Sequence, residues 1–139
     1  MYNVAMNEKK NRLVIVRGLP GSGKSTFAKR NFNCLILEND MFHVRMGEYR
    51  YSRDNMKGAI SWCYDTCKAA LLNGMDVVVA NTFTQRRFIE DYRRLAVEAG
   101  AEFEVYRCVS DYGNIHDVPK SVLEGMKSGF EDWPGEKMV

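Results

Sequence analysis

Gly18-Leu19-Pro20-Gly21-Ser22-Gly23-Lys24-Ser25-Thr26 follows directly on the apolar run Leu13-Val14-Ile15-Val16. The stretch fits G-x-x-x-x-G-K-[ST] at every fixed position. It has a strand-like run before it and the helix-compatible residues 25–30 after it, which is the setting this pattern needs. Gly21 and Gly23 free the backbone to curl its N–H groups around an oxyanion, and the helix that follows turns its positive end to the same point. In such a loop the Lys24 ammonium reaches the β- and γ-phosphates and the Ser25 hydroxyl holds Mg²⁺. The stretch therefore predicts a nucleoside triphosphate site, with ATP and Mg²⁺ as cofactors and Gly18, Pro20, Gly21, Ser22, Gly23, Lys24, Ser25 and Thr26 as its binding residues.

Outward from this loop the chain alternates. Residues 13–17, 34–37, 76–80 and 102–108 read as strands, and Val77-Val78-Val79-Ala80 is apolar throughout, as a strand covered on both faces must be. Between them Met56, Ile60, Cys63, Cys67, Ala70 and Leu71 recur at helical spacing up to Asn73-Gly74, and Phe88, Ile89, Tyr92, Leu95, Ala96 and Ala99 repeat the pattern up to Gly100. This order predicts an α/β chain with the three-layer P-loop NTPase fold: a short, mainly parallel sheet flanked by helices, with ligands at the carboxyl ends of the strands. At 139 residues the chain suits one domain, residues 12–139, behind a polar N-terminal leader, residues 1–11.

Composition narrows the partners. Twenty Lys and Arg against 18 Asp and Glu leave only +2, so charge alone demands no nucleic acid. Cys34, Cys63, Cys67 and Cys108 lack C-x-x-C spacing, and no apolar run of 18 residues or secretory segment is present. A cytoplasmic protein with buried thiols and no membrane partner is expected. The oligomeric state is left open.

Three segments should meet the loop: Glu38-Asn39-Asp40, Asn81-Thr82-Phe83-Thr84 and residues 110–119. Asp40 suits a general base for an attacking hydroxyl or a water-mediated Mg²⁺ contact, with Glu38 in reserve; it also suits the N-cap of a helix from Met41 onward. Arg45, Tyr49 and Arg50 lie in or near Gly47-Glu48-Tyr49-Arg50-Tyr51-Ser52-Arg53, which reads either as a phosphate clamp with stacking rings or as a solvated loop. Asn81 and Thr82 suit orientation of a substrate hydroxyl or water. Arg86 is a candidate for charge on the transferring phosphoryl group, although helix arginines are often simply solvated. His116, in the segment that carries a lid in this fold, is a candidate nucleotide contact. Trp62 reads as core, and Trp133-Pro134-Gly135 as a cover for the adenine side.

With these residues in place, the chain resembles the small P-loop phosphotransferases of the polynucleotide 5′-hydroxyl kinase type. It resembles more closely the short ATP-binding proteins of phage and bacteria grouped by name as AAA-family ATPases. The resemblance runs from Leu13 to about Trp133. It rests on Arg17 and the phosphate loop, Asp40-Met41-Phe42, Gly47-Glu48-Tyr49-Arg50-Tyr51, Val79-Ala80-Asn81-Thr82-Phe83-Thr84 and Asn114-Ile115-His116-Asp117-Val118-Pro119. It implies transfer of the γ-phosphate of ATP to a hydroxyl of a nucleotide, nucleoside or nucleic-acid-like acceptor, with Asp40 matching the family's base. Zeta-type toxin kinases, which phosphorylate a nucleotide sugar, are similar through the same loop and Asp.

The chain departs from the polynucleotide kinase pattern at three charged positions. His43 stands where that family holds the acceptor's phosphate with Arg, Asn81 where an Asp opens D-T-N, and Gly113 where a lid Arg precedes Asn. These departures weaken a 5′-hydroxyl nucleic-acid acceptor. They keep open a nucleotide-binding or sequestering module without transfer, and, as a further class, an ATPase acting on a protein partner.

Overall fold

Odd- and even-numbered residues of the two central strands face opposite ways. Leu13, Ile15, Val77 and Val79 enter one apolar cluster, and Val14, Val16, Val78 and Ala80 enter another. The period of two, with both sets buried, is what a parallel sheet covered on each face requires. The computed structural model describes residues 10–45, 53–113 and 118–139. Within them the order is β1 (Arg12–Arg17), α1 (Lys24–Asn31), β2 (Leu35–Leu37), α2 (Asn39–Arg45), α3 (Arg53–Leu72), β3 (Val77–Asn81), α4 (Arg86–Ala99), β4 (Glu102–Arg107), α5 (Lys120–Ser128) and β5 (Lys137–Met138). The five strands lie side by side as β2-β3-β1-β4-β5, every pairing parallel. Arg17 at the end of β1 stands level with Asn81 at the end of β3.

The larger cluster takes Cys63, Cys67, Ala70 and Leu71 from α3 and Ile89, Tyr92, Leu95 and Ala96 from α4, as their helical spacing predicts. Both thiols are fully buried, and burial raises each to about 12, so they serve as apolar filling. Trp62 packs against the same cluster. Gly74 (φ 82°) and Gly100 (φ 66°) take the left-handed conformation that ends the helices before them. No helix among the described residues is long and apolar enough to cross a membrane.

Two elements, α5 and β5, escaped the sequence reading, and the helix expected from Met41 opens two residues earlier. α2 opens at Asn39, so Asp40 lies inside its first turn and is not its N-cap. α5 carries no buried residue and β5 is two exposed residues long, so neither leaves a burial pattern in the sequence. The polar leader lies outside the described residues as far as residue 9.

The largest fully buried side chain is a cation. The Arg17 guanidinium donates from Nε and Nη2 to the Phe83 carbonyl at 3.1 and 2.7 Å, from Nη2 to the Glu131 carbonyl at 2.7 Å, and from Nη1 to Glu136 Oε1 at 2.8 Å. The Phe130 ring covers it at 4.3 Å, and Arg107 reaches the other Glu136 oxygen at 3.2 Å. Burial lowers the Arg17 pKa, and the Glu136 carboxylate opposes that shift. Removing one member of a buried pair leaves the other desolvated and uncompensated. Glu136→Gln should therefore cost about 3 kcal/mol of stability, read as a lower urea midpoint at unchanged slope; an unchanged midpoint would show that the pair does not hold the C-terminal segment.

Candidate functional site

The turn between β1 and α1 works because it lacks side chains where the backbone must come close. Gly23 caps α1 at φ 88° with no side-chain acceptor, so the first-turn N–H groups of the helix face the loop unclaimed by a cap. Gly21 stands at φ 80°, and a β-carbon there would run into the backbone of Gly113. A β-carbon on Gly18 would come within 2.7 Å of the Cys108 carbonyl. The segment after β4 is thus seated on the loop, fastened by the Tyr112 N–H to the Gly21 carbonyl at 2.8 Å. Gly113 itself takes φ 92°, which suits glycine and gives a backbone reason for its departure from the kinase pattern.

Lys24 Nζ donates to the Leu19 carbonyl at 3.0 Å, so the ammonium is folded over its own loop. Burial pulls its pKa below the usual lysine value, and Cys108, Glu38 and Asp40 pull it back up. The Ser25 hydroxyl donates to the Glu38 carboxylate, directly beyond the end of β2. Asn81 and Asn39 bind reciprocally: the Asn39 N–H donates to Asn81 Oδ1 at 2.8 Å, and Asn81 Nδ2 donates to Asn39 Oδ1 at 3.1 Å. That pair satisfies a first-turn donor of α2 and ties the segment bearing Glu38 and Asp40 to the end of β3.

These groups line one cleft of about 540 Å³, within the range of small-molecule sites. One wall is polar: Pro20, Gly21, Gly23, Lys24, Ser25 and Thr26 of the loop, then Glu38, Asn39, Asp40, Asn81 and Thr82. The other is largely apolar, from Met56 of α3 and from Val118, Val122 and Met126 at and along α5. Gly18 and Ser22 are buried and shape the loop, and the Ser22 hydroxyl finds no partner among the described residues.

The loop, Asp40, Asn81 and Thr82 are therefore brought together as the sequence predicts. Two placements differ. Arg86 turns away, its Nε on the Asp132 carbonyl at 2.6 Å and its N–H on Glu131 Oε1 at 2.9 Å, because it anchors the segment before β5. Trp133 lies beside it against Phe103, rings 6.2 Å apart, in a different depression from the nucleotide cleft. Tyr49, Arg50 and His116, and the side chains of His43 and Arg45, lie outside the described residues. The sequence ranked Glu38 below Asp40, and its proximity in the chain was the one signal available. The apolar wall was missed because its residues come from α3 and from a helix without a core pattern.

The family described as AAA domain matches residues 13–115, from β1 past the phosphate loop to the segment beyond β4. The chain belongs to that family. An uncharacterised protein of Pasteurella multocida strain Pm70 is 29% identical over 148 residues, covering 91% of this chain and 80% of that one. Among solved structures, a chain of the Pnkp1/Rnl/Hen1 RNA repair complex superposes with TM-score 0.73 at 21% identity, over 88% of this chain. This chain spans 45% of the length of that one. A kinase candidate from Chloroflexus aurantiacus superposes with TM-score 0.72 at 21% identity, over 94% of this chain and 88% of its own. The five parallel strands and the phosphate loop are those of a small, kinase-like P-loop domain.

Lys24→Ala should remove most of the affinity for a triphosphate and leave the fold intact, since the side chain makes its one described hydrogen bond to its own loop. Calorimetry with a non-hydrolysable ATP analogue, alongside a thermal melt, reads both quantities. Undiminished affinity would mean that the triphosphate binds elsewhere.

Proposed function

We propose that the protein is an ATP·Mg²⁺-dependent phosphotransferase that moves the γ-phosphate to a hydroxyl of a nucleotide, nucleoside or nucleic-acid-like acceptor. The observation that carries this reading is the grouping at one lip of the cleft: the Ser25 hydroxyl on the Glu38 carboxylate, with Asp40 in the next helical turn and Lys24 beside both. A hydroxyl and carboxylates are hard oxygen donors, which suit Mg²⁺. Among the described residues no cluster of three or more His, Cys, Asp or Glu is gathered for a metal. Mg²⁺ commonly takes one or two carboxylates and completes its shell with phosphate oxygens and water. Ser25 and Glu38 would hold it, with Asp40 near enough to join through water; when bound, it neutralises charge on the β- and γ-oxygens.

The chain's own groups divide the remaining work. Backbone N–H groups of the loop and the Lys24 ammonium, released from Leu19, cradle the phosphates. Asp40 takes the proton of the attacking hydroxyl while its oxygen bonds to the γ-phosphorus and the bond to the bridging oxygen breaks, leaving ADP. Asn81 acts through Asn39 and holds the segment of the two carboxylates in register with the loop. A cytoplasmic setting belongs to the same reading.

Asp40→Asn keeps the size of the side chain but cannot take a proton, so transfer should fall by about 10² to 10⁴ with little change in ATP affinity. Glu38→Gln should instead weaken the Mg²⁺ dependence of binding. Both quantities are measured on the same preparations by radiolabel transfer and calorimetry. Equal losses of transfer and affinity in Asp40→Asn would move Asp40 into the metal shell, and no loss of transfer would remove it from the mechanism. If the wild type transfers to no acceptor and releases no phosphate, the nucleotide-binding module takes over.

A further inference from the structure

A second depression, of about 690 Å³, opens away from the nucleotide cleft where α4 and β4 meet the segment before β5. Its floor is apolar and aromatic: the indole of Trp133 and the ring of Phe103 meet edge to face at 6.2 Å, with Pro134 beside them. Its rim carries Arg86, Arg87, Arg93 and Glu90, with the Glu131 carboxylate on the Arg86 N–H and that of Asp132 on Arg107.

The guanidinium groups are oriented but not exhausted. Arg86 spends Nε on the Asp132 carbonyl, Arg93 spends Nε and Nη2 on Glu90, and Arg87 lies over the Phe88 ring at 4.8 Å. Each fork has five N–H donors, so these bonds leave donors on all three. Helix stability accounts for Arg93, which pairs with Glu90 three residues before it, but not for Arg86 and Arg87 at the start of the helix. The first turn of α4 contains no acid and its last turn no base, whereas the helix dipole favours the reverse of two arginines at the start. Planar forks around a half-buried aromatic floor match a phosphate carried next to a flat ring, the forks taking the anion and the indole stacking the ring.

We infer that this depression is a second ligand site, separate from the phosphate loop, for a nucleotide: either a free mononucleotide or one unit of a single-stranded nucleic acid. Its walls are fixed. Glu131 accepts the Arg86 N–H at 2.9 Å and donates its own N–H to the Thr84 carbonyl at 2.8 Å, two residues from Thr82 in the cleft.

The test uses the full chain with its cleft saturated by Mg²⁺ and a non-hydrolysable ATP analogue. The probe is a fluorescein-labelled single-stranded oligonucleotide of about ten nucleotides, 5′-phosphorylated so that its end offers no 5′-hydroxyl. Fluorescence anisotropy should report binding that weakens with salt, and Arg87→Glu should weaken it about tenfold. Trp133→Leu should have an effect of similar size. Should that variant fail to fold, quenching of Trp133 emission by unlabelled oligonucleotide in a Trp62→Phe background reports the same stacking. Competition by adenosine monophosphate at concentrations comparable to those of the oligonucleotide identifies the free nucleotide as the ligand; its failure to compete identifies the polymer. Absence of binding by the wild type at low salt to both probes, or binding indifferent to Arg87→Glu, overturns the proposal.

Discussion

A guanidinium at the end of β1, taken wholly out of water, holds the site-bearing edge of this sheet in place. Arg17 repays its desolvation with two carbonyls, one carboxylate and an aromatic face, and each partner lies on a different stretch of chain from Arg17 itself. Phe83 stands at φ 45°, which a residue with a bulky side chain rarely adopts. Its carbonyl takes two hydrogen bonds from Arg17, and its ring packs on Tyr92 at 5.6 Å. The strained turn after β3 is thus over-determined from both sides. Since Gly18 N–H also reaches the Thr82 carbonyl at 3.3 Å, the phosphate loop and the segment after β3 are set against each other before any ligand arrives.

The cleft has a division of labour that follows from this frame. Its phosphate half is built of backbone and short polar side chains, where position is inherited from strand ends. Carboxylates from the β2 end approach Lys24 closely enough to oppose the lowering of its pKa by burial. Its other half is built of flexible apolar side chains, Met56 from the start of α3 and Met126 from α5, a helix with no buried residue. Under the proposed transfer, such a wall would select for shape and apolar surface in an acceptor and tolerate variation. On the proposed reading, the rigid half would take what all triphosphates share, and the softer half would face whatever distinguishes the acceptor.

The features legible in the sequence share one property: their physics is local. The glycine spacing of residues 18–26 declares a backbone that must curl, and the unbroken apolar run at 77–80 declares a strand buried on both faces. Asn81 and Asp40 can be placed at one cleft from the sequence because strand ends in a parallel sheet converge. What stayed hidden depends on contacts far apart in the chain. Arg17 reads as a polar strand end until Glu136, 119 residues later, is seen beside it. Arg86 reads as an active-site cation until the segment before β5 claims it. α5 has its apolar side turned toward a cleft and not a core, so its pattern carries no burial signal.

The proposed transfer is decided by where the γ-phosphate goes. The direct measurement is incubation of the protein with γ-labelled ATP and Mg²⁺ in the presence of nucleosides, nucleotides, nucleotide sugars and 5′-hydroxyl oligonucleotides, followed by chromatographic separation of every labelled species. Transfer puts the label in a phosphomonoester of one of these alcohols, formed together with ADP. Label found only in inorganic phosphate, or only in ATP after every acceptor has been tried, would contradict it.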